Sequence, residues 1–228
     1  MGSAALWGTV AASSLVIGAA LALVRDWPVK QVSLVLAFGA GALISAVSFE
    51  LAQDGAEVGG GLAVGIGLAV GAVTYFGLDS LIEGRGGSDP ASALALGAFL
   101  DGVPEQLVLG LGIAVGGEVG VGLIVAIFVS NLPEAIGSAS KMRARRNGAT
   151  IMRLWIAVAV VCALSTLIGY ALADNVSGEL QGGVNGFAAG ALLVMLTDSM
   201  IPEARKGGRT VGLATAFGFA IAAGLSAA

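Results

Sequence analysis

The chain has 228 residues, 57% of them hydrophobic and 11% charged, with 11 Lys and Arg against 15 Asp and Glu. Soluble domains are usually about 45–50% apolar and about 25% charged, so this composition excludes an ordinary soluble fold and points to an integral membrane protein with no nucleic-acid partner. Histidine is absent and cysteine occurs once, at Cys162, which excludes an imidazole ligand, a histidine proton shuttle and an internal disulfide.

A membrane helix needs about 20 predominantly apolar residues. Eight stretches qualify, at 4–24, 31–53, 58–81, 91–116, 119–141, 150–173, 181–203 and 210–227. The first has no basic leader and no clear cleavage site, so it reads as a span and not as a signal peptide. The connections are short, and 1–228 reads as a single transmembrane domain in the lipid bilayer.

Every Lys and Arg falls in alternate connections. Arg25 and Lys30 lie between spans 1 and 2, and Arg85 lies between 3 and 4. Lys141, Arg143, Arg145, Arg146 and Arg153 flank the 5–6 connection, and Arg205, Lys206 and Arg209 the 7–8 connection. The other connections and both termini carry acids instead or no charge, including Asp54, Glu57, Glu118, Asp174 and Glu179. The positive-inside rule then places both termini outside a cell membrane. The basic cluster at 141–146 can also bind anionic lipid, although orientation alone accounts for it.

Glycine is abundant, at 37 residues. Small residues let membrane helices approach closely, and Gly61-xxx-Gly65, Gly67-xxx-Gly71 and Gly112-xxx-Gly116 read as packing words. Cys162 reads as a small residue within an apolar run.

Spans 2 and 7 resemble each other. Phe38-Gly-Ala-Gly-Ala-Leu43 aligns without gaps with Phe187-Ala-Ala-Gly-Ala-Leu192, and the match continues as Ser48 with Thr197 and Asp54 with Glu203. These spans run in opposite directions, which is the pattern of inverted repeats, here spans 1–3 against 6–8 around spans 4–5. Substrate sites in such repeats lie near the midplane on interrupted helices.

Spans 4 and 5 carry matching words, Asp101-Gly102-Val103-Pro104-Glu105 and Ser130-Asn131-Leu132-Pro133-Glu134. A charge at the bilayer centre is unfavourable by roughly 2.5–3.5 kcal/mol on insertion scales. A mid-helix proline frees the carbonyl four residues earlier, here Leu100 and Val129. Asp101 and Glu105 share a face of span 4, as do Ser130, Asn131 and Glu134 on span 5. Facing each other, the two would offer three carboxylates, an amide, a hydroxyl and two carbonyls. Such an oxygen set suits a divalent cation, because no Lys or Arg in the span interiors supplies counter-charge. The bland alternative makes these acids protonated, hydrogen-bonded helix glue. Glu50 on span 2 and Asp198 on span 7 are further candidate ligands nearer the span ends. Gln106, Pro104 and Pro133 are candidates to line the path.

These residues resemble the ZIP (Zrt/Irt-like) family of divalent metal transporters. The likeness rests on eight spans, both ends outside, a proline–glutamate word in each of spans 4 and 5, and Phe187-Ala-Ala-Gly-Ala with Ile201-Pro-Glu-Ala in span 7. It implies that Glu105 and Glu134 are central ligands of a metal site between spans 4 and 5. Asp101 stands at the family's usual histidine, and Ser130 and Asn131 match the polar pair opening the second word. Gly102 replaces the usual Asn and Gln106 the usual Gly, and the histidine-rich loop is missing.

The resemblance implies transport of a divalent cation into the cytoplasm, with zinc as the first expectation and manganese, iron or cadmium as others. An all-oxygen site favours harder cations. The metal is cargo, no resident cofactor is expected, and a homodimer is compatible with such folds. One alternative is a proton-coupled carrier of a small organic solute, with the same acids as relays. Another is a membrane protein that binds metal without moving it. An enzyme is not expected, since Ser130 beside Glu134 has no histidine and no clear oxyanion device.

Overall fold

The computed structural model describes residues 1–84, 90–114, 121–143, 145–173 and 177–226, with side chains throughout these except at 82–84, 90–98, 100, 101, 121, 122, 126 and 141. Among the described residues the chain is helical and has no strand. The helices are α1 (Gly2–Val24), α2 (Val29–Ala46), α3 (Asp54–Gly59), α4 (Gly61–Gly84), α5 (Pro90–Ala114), α6 (Val121–Met142), α7 (Gly148–Leu172), α8 (Gly178–Met195), α9 (Ile201–Arg205) and α10 (Val211–Ser226). A chain this apolar satisfies its backbone groups inside each segment, as lipid requires.

Six helical stretches among the described residues are long and apolar enough to cross a membrane: Gly2–Val24, Val29–Gly59, Gly61–Leu81, Leu123–Ser140, Gly148–Leu172 and Gly178–Arg205. Two shorter apolar helices, Gly102–Ala114 within α5 and Val211–Ser226, occupy the places of expected spans 4 and 8. The stretches at Val29–Gly59 and Gly178–Arg205 are longer than the sequence suggests. Each runs without a break through a π-helical turn, Val47–Gln53 and Leu196–Met200, into α3 and α9 respectively.

Among the described residues α1, α5, α6 and α7 pack on one another, while α2 pairs with α10 and α4 with α8. α2 and α10 meet α6, and α8 meets α5 and the Val47–Gln53 turn. Buried Leu15, Met142, Ile151 and Trp155 anchor the seam of α1, α6 and α7. Glycines bring backbones together elsewhere. A Cβ on Gly41 would overlap the Thr215 carbonyl oxygen of α10, and one on Gly190 the Leu68 carbonyl oxygen of α4. Gly218 and Gly71 press in the same way on the carbonyls of Phe38 and Phe187. The helix ends are capped locally: Asn147 accepts from the Thr150 amide at 2.8 Å to start α7, and Ser177 from the Leu180 amide at 3.2 Å to start α8.

Candidate metal centre

Pro104 lies inside α5 and Pro133 inside α6, and both helices continue through them. Neighbouring backbone comes close to the second proline. A Cβ on Gly39 of α2 would stand 3.1 Å from the Val129 carbonyl oxygen, and one on Gly18 of α1 would meet the Leu132 carbonyl. Glycine at these positions lets α1 and α2 reach the turn of α6 that Pro133 interrupts.

Glu105 follows Pro104 and is 2% exposed, and its Oε2 has no hydrogen-bond partner among the described residues. Glu134 follows Pro133, is half-buried, and lies close enough to act electrostatically on Glu105. A buried acid with a second acid beside it needs a cation, a proton or strong donors to offset its desolvation. Asn131 is buried with its Nδ2 unpartnered, and buried Ser130 donates its hydroxyl to the Ile127 carbonyl at 3.0 Å. Asp101 is one turn before Glu105 on α5, and its side chain lies outside the described residues.

Glu50 and Asp198 each sit on a π-helical turn, a local geometry that recurs at functional sites. Glu50 Oε1 accepts from Ser226 Oγ of α10 at 2.5 Å, and its Oε2 is buried without a partner. Asp198 is exposed beside Thr197. Among the described residues no three His, Cys, Asp or Glu side chains converge on a metal-sized site. Glu105 and Glu134 therefore form a pair that neither Glu50 nor Asp198 joins.

Gln106 meets α7. Its side chain is fully buried at the α5–α7 contact, where Oε1 accepts from Thr166 Oγ1 and Nε2 is unpartnered. Sequence reasoning gave Thr166 no role, because one hydroxyl in an apolar span carries no sign of which helix it meets. Cys162, also on α7, lies against Gly102: a Cβ there would stand 2.6 Å from Sγ. Any side chain at 102 would therefore collide with the thiol unless Cys162 shifted. A cavity of about 100 Å³ beside Pro104 is lined by Tyr75, Phe99, Val103 and Phe187 among others. Small-molecule sites usually occupy about 300–1,000 Å³.

No protein-family model matches the chain, and no curated protein matches it.

Proposed function

We propose that the protein is a ZIP-like transporter that carries divalent metal cations across a cell membrane into the cytoplasm. The observation carrying this reading is the Glu105–Glu134 pair, one acid from each proline-interrupted helix, with Glu105 shielded from water and one of its carboxylate oxygens unpartnered among the described residues. A divalent cation neutralises both acids at once. Buried Asn131 adds an amide beside Glu134 on α6, and the resemblance makes Asp101, one turn before Glu105 in the sequence, a further oxygen ligand. Zinc is the cargo that the resemblance suggests, and the hard donor set favours manganese or iron beside it.

The eight-span reading counts α5 and α10 as spans that complete the six longer ones. The inverted-repeat reading draws support from register. The π-helical turns start at Val47 and Leu196, which are equivalent positions in the span 2 and span 7 alignment. Gly41 on Thr215 and Gly190 on Leu68 are equivalent contacts, as are Gly218 on Phe38 and Gly71 on Phe187. In both cases the middle helix of one repeat packs on the last helix of the other. Alternating basic and acidic connections support a cytoplasmic side for the basic ends and an outer side for both termini.

The test is flux into proteoliposomes, taking Zn²⁺, Mn²⁺, Fe²⁺ and Cd²⁺ in turn. Saturable uptake is expected, and Glu105→Ala and Glu134→Ala are each expected to abolish it while the protein remains folded. Wild-type flux in the double variant would sink this site. Absent metal flux, together with solute uptake driven by a pH gradient, would instead favour the organic-solute carrier. The cavity beside Pro104, at about 100 Å³, leaves little room for such a solute.

A further inference from the structure

A long apolar groove of about 480 Å³ runs between α1 and α7. Its floor is made of small residues, with Ala12 and Ala159 2% and 8% exposed. The two helices come this close because Gly8 has no side chain to strike Thr166. Its walls are branched side chains that stand open: Ile17, Ile156, Val160 and Leu164 are 42%, 44%, 52% and 50% exposed. From Ala5 to Ile17 the α1 wall spans about 18 Å at about 1.5 Å per residue. That is close to the depth of one leaflet, half of the roughly 30 Å hydrocarbon core.

One end of this groove is charged. Arg153 precedes Ile156 by three residues and Val160 by seven, so it continues the same stripe of α7 past the end of the apolar lining. It is exposed and bonds only within its own first turn, to the Ala149 carbonyl at 3.3 Å and Thr150 Oγ1 at 3.5 Å. Among the described residues it has no carboxylate partner, whereas Arg143 nearby is paired with Asp26 at 2.6 Å. No residue lining the groove is charged. The groove lining itself offers Arg153 no counter-charge, whereas a phosphate would.

We propose that the α1–α7 groove holds an acyl chain of an anionic phospholipid whose phosphate is bound by Arg153. The geometry is that of a single lipid: a narrow slot with a small-residue floor, one leaflet deep, with a cation at its mouth. Basic pockets between membrane helices recognise anionic headgroups in this way. The site is separate from the Glu105–Glu134 pair and does not depend on the transport reading.

Native mass spectrometry of the whole purified chain tests this, using phosphatidylglycerol and phosphatidylcholine with identical acyl chains. Phosphatidylglycerol adducts are expected to exceed phosphatidylcholine adducts about fivefold, the equivalent of about 1 kcal/mol for one basic residue at an anionic headgroup. Arg153→Gln should bring the ratio to about one, and Arg153→Lys should keep it above one. Val160→Trp, which adds bulk at an exposed wall, should reduce the adducts of both lipids. Without any variant, raising ammonium acetate from roughly 0.1 to 1 M should erase the preference, because the screening length falls to about 3 Å. A ratio that survives both Arg153→Gln and high salt would overturn the headgroup assignment. Phosphatidylglycerol binding that Val160→Trp leaves intact would overturn the groove. Dimers lost in Val160→Trp while the lipid ratio is unchanged would assign the face to a second copy.

Discussion

Replacing Gly71 with Ala is expected to destabilise the protein, whereas replacing Gly65 with Ala is not. Both glycines are on α4, and both belong to a Gly-xxx-Gly word. A Cβ on Gly71 would overlap the Phe187 carbonyl oxygen and stand 2.8 and 2.9 Å from the Phe187 C and Cα. Favourable carbon contacts are about 3.5–4.0 Å, so α4 and α8 would have to part by roughly 1 Å. The obstacle is helix backbone, which has no rotamer to swing aside. Overpacking a tight site costs about 1–3 kcal/mol, and the better helix propensity of Ala returns about 1 kcal/mol. Gly65 is exposed, with nothing within 4 Å of a Cβ, so Ala there brings only the propensity gain. The two variants should therefore differ by the whole overpacking term of about 1–3 kcal/mol, or about 5- to 150-fold in the unfolding equilibrium. Reversible unfolding in mixed detergent and denaturing-surfactant micelles measures this. Equal stability of Gly71→Ala and Gly65→Ala would refute the packing argument.

Thr166→Val removes the donor to buried Gln106 and is expected to lower stability by about 1–3 kcal/mol, the usual penalty for stranding a buried polar group. Adding Gln106→Leu should recover part of that loss. The cycle should give a coupling of about 0.6–1.7 kcal/mol, as for other hydrogen bonds inside membranes, and strictly additive losses would dismiss the bond. Asp26→Asn should change stability by less than about 1 kcal/mol, because the Asp26 side chain is 95% exposed and such pairs contribute little. Arg143→Ala should lose more in the same assay, since Arg143 also bonds the Ala22 carbonyl near the end of α1 at 3.1 Å. Equal losses would show that the carbonyl contact adds nothing.

The two proline–glutamate words were visible as sequence, and two matching costly features on adjacent spans suggest that Glu105 and Glu134 share a partner. The faces of individual helices were less legible. Gln106 read as part of the path because it adjoins Glu105, yet neighbours on a helix point about 100° apart, and Gln106 turns to Thr166. Glu50 and Asp198 read as ligands from their acidity alone. Their surroundings, Ser226 for one and an exposed surface for the other, depend on where α10 and the π-helical turns fall.

Chain order and hydropathy are enough to mark this as a chain of apolar helices, and to mark where most of them lie. In lipid the backbone must be satisfied within each segment, so length and hydropathy suffice to mark a span. The sequence also marked the charge alternation between connections, since each Lys and Arg is placed by chain order alone. Tertiary structure decided which glycines are contacts. Gly67 and Gly71 meet the backbone of α8, while Gly61, Gly65 and Gly112 meet nothing within 4 Å. It also set Thr166 beside Gln106 and Cys162 beside Gly102. A helical period fixes which residues share a face, but the helix that covers the face is chosen by packing between segments far apart in the chain. In a protein this rich in small residues many faces look alike until they are paired.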